Sequence, residues 1–262
     1  YPDIAVNLGY LKNQLVIRFF SWMERFIYRH AAAVTSITPA MCEKIKGRVP
    51  QEKVHLIANF VDLPKDAEMV MSYPHKELVI TYAGNMGVPQ NLGLLVEAVA
   101  TLEEVKVWFV GEGGDKQRLM DRAKELNIFG TKVIFEDYKP ISAMPQIYAD
   151  SDLFYVAQDP KACSDGIPSK LYRILGNKKP LLAVTGEASD MAQFVRETGG
   201  GYVVGDFNVE TLRQVILEAQ QSREKLSQMA EKGYAYVAHH MSRQTISAQY
   251  ARLLESLVEK GR

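Results

Sequence analysis

The chain has 262 residues, 47% hydrophobic and 24% charged, ordinary globular values that exclude disordered, collagen-like and low-complexity classes. Lys plus Arg number 31 and Asp plus Glu number 31, so no global field draws the chain onto nucleic acid. Two cysteines, Cys42 and Cys163, cannot build a disulfide framework, and no apolar run approaches the ~18 residues of a membrane span.

The chain opens on Tyr1-Pro2-Asp3 without the charged and apolar regions of a signal peptide, and it reads as one entered mid-sequence. Residues 13–30 form an amphipathic helix. Leu15, Phe19, Trp22, Phe26 and Ile27 lie along one stripe, with Arg18, Arg25 and Arg29 largely opposite. Such a helix suits a membrane interface or the surface of a further domain. A strand at 33–37, a helix at 39–46 with Pro39 in its first turn, and a strand at 54–57 follow. Residues 62–75 show no period and read as a linker.

From residue 78 the pattern becomes regular. Strands at 78–83, 105–110, 132–135, 152–157, 181–184 and 201–204 alternate with helices at 91–102, 115–127, 142–149, 169–175 and 188–198. Six short strands interleaved with amphipathic helices predict an α/β, Rossmann-like, doubly wound parallel sheet, whose ligands bind at the carboxyl ends of the strands. Asp115 is a start signal for its helix. A helical tail at 209–241 is interrupted at Gly233, and a last helix at 242–260 is capped by Ser242.

Two loops carry the chemistry. Gly84-Asn85-Met86-Gly87, between a strand and a helix, lets backbone approach a phosphate. It fails the dinucleotide fingerprint: Gly84 and Gly87 give G-x-x-G, Gly111-Glu112-Gly113-Gly114 lacks a third glycine at the needed spacing, and no Walker lysine follows. Further on, Ser164-Asp165-Gly166 precedes Pro168, then Ser169 as a helix cap, Lys170 and, one turn later, Arg173. A capped helix start bearing a lysine attracts an anion. Cys163 has no histidine near it in sequence and reads as an inert thiol. The five histidines show no metal spacing.

These stretches resemble a known family. IANFVD at 57–62, TYAGNMGVPQNLGLLVEA at 81–98, FVGEGG at 109–114, FEDYKP at 135–140 and DGIPSKLYRILGNKKPLLA at 165–183 are similar to the C-terminal part of retaining, two-Rossmann (GT-B, family 4 type) glycosyltransferases, nearest to the bacterial surface-polysaccharide branch. The resemblance implies four segments: 1–61 as the end of an acceptor-side domain, 62–75 as linker, 76–240 as the nucleotide-sugar-binding domain, and 241–262 as a crossover helix. It implies transfer from a nucleoside diphosphate sugar, UDP-linked, to a polyprenyl-linked or glycan acceptor at the cytoplasmic side of the membrane, without a metal or other cofactor and without nucleic acid as partner. Gly84, Asn85 and Gly87 would line the diphosphate, with Gln90, Glu112 and Ser169 beside it. Lys170 would neutralise the leaving group, Tyr138 would sit at the base, and Asp165 would face the donor sugar. The family's second acidic residue, eight positions after Asp165, is here Arg173, whose guanidinium has donors but no acceptor for a ribose diol. Two alternatives remain: a nucleotide-sugar-binding fragment without catalysis, and a nucleotide-sugar epimerase of the same fold.

Overall fold

The computed structural model describes residues 6, 11–64, 76–158 and 166–260. Helix α1 (Gln14–His30) starts at Asn13, whose Oδ1 accepts from the Leu15 amide at 2.9 Å. Strand β1 (Val34–Ser36), helix α2 (Pro39–Lys46) and strand β2 (Val54–Leu56) make a small parallel unit, with Thr38 capping α2 ahead of Pro39. Cys42, Val49 and Val54 form its core, and Tyr28 of α1 packs against them.

Six strands build the larger sheet: β3 (Leu78–Ala83), β4 (Val105–Val110), β5 (Val133–Glu136), β6 (Leu153–Gln158), β7 (Leu181–Thr185) and β8 (Gly201–Val204). All pairs are parallel, in the order β5-β4-β3-β6-β7-β8. Between them run α3 (Leu92–Val99), α4 (Lys116–Glu125), α5 (Met144–Ala149), α6 (Lys170–Gly176) and α7 (Asp190–Thr198), followed by α8 (Val209–Gln221), α9 (Arg223–His240) and α10 (Arg243–Lys260). Strand alternation divides the core. Leu153, Tyr155 and Ala157 of β6 face one apolar layer with α3, α4 and α8, while Phe154 and Val156 face a second with α5, α6, α7 and α9. Burial of Leu153, Phe154 or Val156 contributes about 1.5–3 kcal/mol each.

The sequence expectations hold for the sheet, the alternation and the Ser242 cap, whose Oγ accepts from the Thr245 amide at 3.2 Å. Several details differ. The tail breaks at Ser222, and Gly233 lies inside α9, because the helix crosses Gly200 so closely that a Cβ on Gly233 would stand 2.6 Å from Leu175 and 3.1 Å from the Gly200 Cα. Residues 142–149 divide into a 3-10 turn, Ile141–Ala143, and α5. Asp115 caps nothing; its carboxylate takes Arg118 bidentately at 2.6 and 2.7 Å. Ser169 is itself helical and makes no side-chain cap, since the turn already begins at Pro168, whose carbonyl accepts from Leu171. Of the linker 62–75, residues 65–75 lie outside the described residues.

Candidate functional site

The chain leaves β3 outward to β4 and β5, then returns to β6 on the other side of β3. That reversal opens a crevice at the carboxyl ends of β3 and β6, where such sheets bind ligands. Gly84 lies at the end of β3, and Lys170 reaches it from α6. The ammonium Nζ stands 3.5 Å from the Ala83 carbonyl and 4.2 Å from the centre of the Tyr82 ring. Tyr82 is held in turn by donating its hydroxyl to the Asn85 carbonyl at 2.5 Å. No carboxylate meets Lys170 among the described residues, and burial pushes its pKa down to about 8. An amine in this position gains from any anion that enters.

A cavity of about 1150 Å³ opens over this point. Tyr138, Ile141 and Met144 line it, Phe154 is buried in its lining, and Asn59 to Pro64 with Arg243 form a further part of its wall. That wall is tied shut: Arg243 grips both Asp62 oxygens at 2.7 Å and lies 4.6 Å over the Phe60 ring. The Val61 amide donates to the Met241 carbonyl at 2.8 Å. Asp62 and Arg243 are 181 residues apart, so no local signal in the sequence could announce this pair.

Of the sequence-nominated residues, Gly84, Tyr138, Ser169, Lys170 and Arg173 all line this cavity. Asn85, Gly87, Gln90 and Glu112 do not. Gln90 turns onto its own loop, where Oε1 accepts from the Gly87 amide at 3.0 Å. Glu112 is held by Lys116, whose Nζ also meets Asp137 at 2.7 Å and the Gly111 carbonyl at 3.1 Å. The four-residue spacing of Glu112 and Lys116 is the one sequence signal for that cluster. Asp165 and Cys163 lie outside the described residues. Gly166, beside Asp165, donates its amide to Asp190 of α7 at 3.1 Å, an anchor that the sequence reading missed.

The second glycine loop has a different physical cause. At Gly111 (φ +139°) a Cβ would fall 2.1 Å from the Gly84 carbonyl oxygen, and at Gly113 (φ +155°) 2.2 Å from that of Met86. These glycines let two loops meet backbone to backbone, with the Met86 amide donating to the Glu112 carbonyl at 2.7 Å. Among the described residues, no group of three His, Cys, Asp or Glu side chains stands where it could hold a metal ion. No described helix is long and apolar enough to cross a membrane.

Known proteins fit this geometry. The chain is 22% identical over 246 residues to the lipopolysaccharide core biosynthesis glycosyltransferase LpsE of Rhizobium meliloti, covering 87% of this chain and 66% of that protein. Sucrose-phosphate synthase from Thermosynechococcus elongatus superimposes with a TM-score of 0.76 at 16% identity, over 98% of this chain and 66% of that one. HepE of Anabaena, solved in complex with UDP and glucose, gives 0.68 at 19% identity, over 86% of this chain and 63% of its own. The chain spans from 50 to 66% of the length of the curated relatives it matches. The fold is thus the Rossmann-like α/β architecture of GT-B glycosyltransferases. The family described as "Glycosyl transferases group 1" matches residues 69–236, more than half of the chain, and the chain belongs to that family.

Proposed function

We propose that this chain carries the donor-binding half of a retaining glycosyltransferase of family 4 type, which moves a sugar from a UDP-linked donor to a lipid-linked or polysaccharide acceptor in bacterial surface-polysaccharide synthesis. The observation that carries the reading is Lys170. A desolvated ammonium with no carboxylate partner among the described residues stands beside Gly84 at the switch point of the sheet. When the glycosidic bond to the diphosphate breaks, negative charge grows on the departing phosphate oxygens, and a fixed cation in a low-dielectric crevice stabilises it. No metal enters this reading. Tyr138 takes the nucleoside side, and the family resemblance assigns Asp165 to the donor sugar. The UDP found with HepE supports the choice of base, and the lipopolysaccharide role in the name of LpsE supports the acceptor class.

The test is a calorimetric panel of UDP-, GDP- and ADP-sugars in the presence of a chelator. The expected result is UDP-selective binding that Lys170→Ala weakens by roughly 1.5–3 kcal/mol, the range for a charged hydrogen bond. Unchanged titrations in the variant would remove Lys170 from the site, and binding only with a divalent cation would end the metal-free reading. Binding without turnover by the full enzyme would favour a carrier of nucleotide sugar instead.

The acceptor side of the reading includes contact with the inner face of the membrane through α1. Leu15 is 76% exposed and Trp22 57%, and Phe19, Trp22 and Phe26 form a ladder with neighbouring ring centres 5.7–6.2 Å apart. Arg18, Arg25 and Arg29 are exposed as well. Flotation of the full-length protein with anionic and neutral vesicles checks this. Salt-sensitive flotation lost on Arg25→Glu with Arg29→Glu supports the contact, and a protein that stays behind with both vesicle types ends it.

A further inference from the structure

Charge accounting inside the cavity singles out a residue that the sequence places one turn after Lys170 at an anion-attracting helix start and, by resemblance, at the family's second acidic position. Among the described residues, five cations line the cavity, Lys139, Lys170, Lys179, Arg173 and Arg243, against one carboxylate, Asp62. Three of the five are committed. Lys139 pairs with Glu136 at 3.0 Å. Lys179 is buried and donates to the Ser151 carbonyl at 2.8 Å. Arg243 takes both oxygens of Asp62. Lys170 and Arg173 remain. Among the described residues Lys170 has only the distant Ala83 carbonyl and the Tyr82 ring. The Arg173 guanidinium, exposed on the cavity wall, makes no hydrogen bond or ion pair with any described residue.

The two uncommitted cations are one turn apart on the same face of α6, a rise of about 4.5 Å. Among the described residues Asp62 is the carboxylate whose charge Arg173 feels, but both of its oxygens are bonded to the Arg243 fork and neither is bonded to Arg173. Arg173 therefore presents a planar, five-donor fork on the cavity wall that no described acidic group hydrogen-bonds, an arrangement that phosphate oxygens satisfy bidentately. A nucleoside diphosphate sugar carries two negative charges on adjacent phosphates, which matches two uncommitted cations on one helix face.

We infer that Arg173 is the second cationic arm of this site, holding one phosphate of a nucleoside diphosphate while Lys170 holds the other. This rests on the donor-site reading above and goes beyond it. The family pattern has an acidic residue at this position for the ribose; here the same position serves the diphosphate, so the ribose hydroxyls lose a carboxylate and the phosphates gain a guanidinium. Arg173 is then a specificity-determining residue: it rewards the diphosphate over the nucleoside, and its effect does not depend on the base.

Calorimetry with UDP, inorganic pyrophosphate and uridine separates the outcomes. Arg173 is exposed and its side chain makes no hydrogen bond or ion pair with a described residue, so its variants are expected to melt with the parent. Arg173→Ala should weaken both UDP and pyrophosphate by roughly 10- to 100-fold and leave uridine unchanged. Arg173→Glu should weaken both anions further, and Arg173→Lys should restore part of the loss. The inference is overturned if Arg173→Ala binds UDP and pyrophosphate like the parent. It is equally overturned if Arg173→Glu tightens UDP while leaving pyrophosphate unchanged, because position 173 would then face the ribose. Lys170→Ala run alongside keeps the two readings apart. Loss of UDP in Lys170→Ala with no effect at 173 leaves the donor site standing without its second arm, and a parent that binds neither UDP nor pyrophosphate ends both.

Discussion

At the end of β3, Gly84 keeps its space open to a side chain, since the nearest atom to a Cβ there is the Lys170 ammonium at 3.2 Å. At the end of β4, Gly111 and Gly113 keep theirs open to backbone, with carbonyl oxygens of the first loop within 2.2 Å of where a Cβ would stand. Both loops follow a strand, precede a helix and carry paired glycines, and both would be read as phosphate cradles from sequence. Each borders the cavity through its strand-end glycine, Gly84 or Gly111, but Gly84 sits beside the Lys170 ammonium, whereas the second loop serves as the surface on which the first is laid. A glycine-rich loop is thus evidence of close approach, and what approaches must be settled by geometry.

Substitution at Gly111 tests that division most harshly. Gly111→Ala must place a Cβ against a carbonyl oxygen that belongs to a hydrogen-bonded backbone layer, at a φ that favours glycine. A loss of about 3 kcal/mol in urea denaturation is expected. A loss below about 1 kcal/mol would mean that the loops are not locked together. Gly84→Ala has the same kind of φ, +141°, but its new methyl group meets the far end of a flexible side chain. Its stability cost is expected at about 1–3 kcal/mol, with UDP affinity reduced about tenfold as the ammonium is displaced. Full UDP affinity in Gly84→Ala would place the ligand away from this edge.

Lys170 itself gives a pH-dependent version of the comparison. Its pKa is lowered by burial from 10.5 to about 8, so the unfolded chain holds this proton more tightly than the folded one. Folding therefore carries a penalty that is complete below pH 8 and fades as pH rises from 8 towards 10.5. Lys170→Met should raise the melting temperature at pH 6.5 and lose most of that advantage by pH 10. An advantage that grows with pH would contradict a desolvated amine. In the parent, affinity for a UDP-sugar should be flat in pH below 8 and fall by up to about tenfold per unit above it, because the free site must then take up a proton to bind. Lys170→Met should lack that dependence.

The sheet was legible in the sequence because period-2 runs and their glycine ends are local signals, and all six strands sit within two residues of their expected ends. Lys170 and Gly84 were legible as a pair only through the family resemblance, since 86 residues separate them and nothing local brings them together. The Asp62–Arg243 tie and the Gly166–Asp190 anchor had no sequence signal, being contacts that exist only once the fold is closed. The cap assigned to Ser169 failed because Pro168 had already begun the turn. The stripe on α1 was read correctly as amphipathic, but period alone does not say what covers it: α3 buries six of its eight residues, and α1 buries none.

The smallest expected effect concerns the first loop's own construction. Gly87 has φ −107°, open to any residue, so its lack of a side chain is not a matter of backbone strain. The space is needed by Gln90, whose Oε1 accepts from the Gly87 amide and would stand 2.7 Å from a Cβ on Gly87. The two positions should therefore be coupled. Gln90→Ala alone removes one hydrogen bond and is expected to cost about 1 kcal/mol. Gly87→Ala alone should cost a similar amount by expelling the Gln90 side chain. Together they should cost little more than either, because the second change removes an interaction that the first has already broken, giving a coupling of about 1 kcal/mol in a double-mutant cycle. Strict additivity would show that glycine is needed at 87 for some other reason, and a ligand approaching its amide would then be the first candidate. Unchanged UDP affinity in Gln90→Ala, alongside the coupling, would fix Gln90 as part of the loop's scaffold and leave Gly84 as the point where this loop borders the donor cavity.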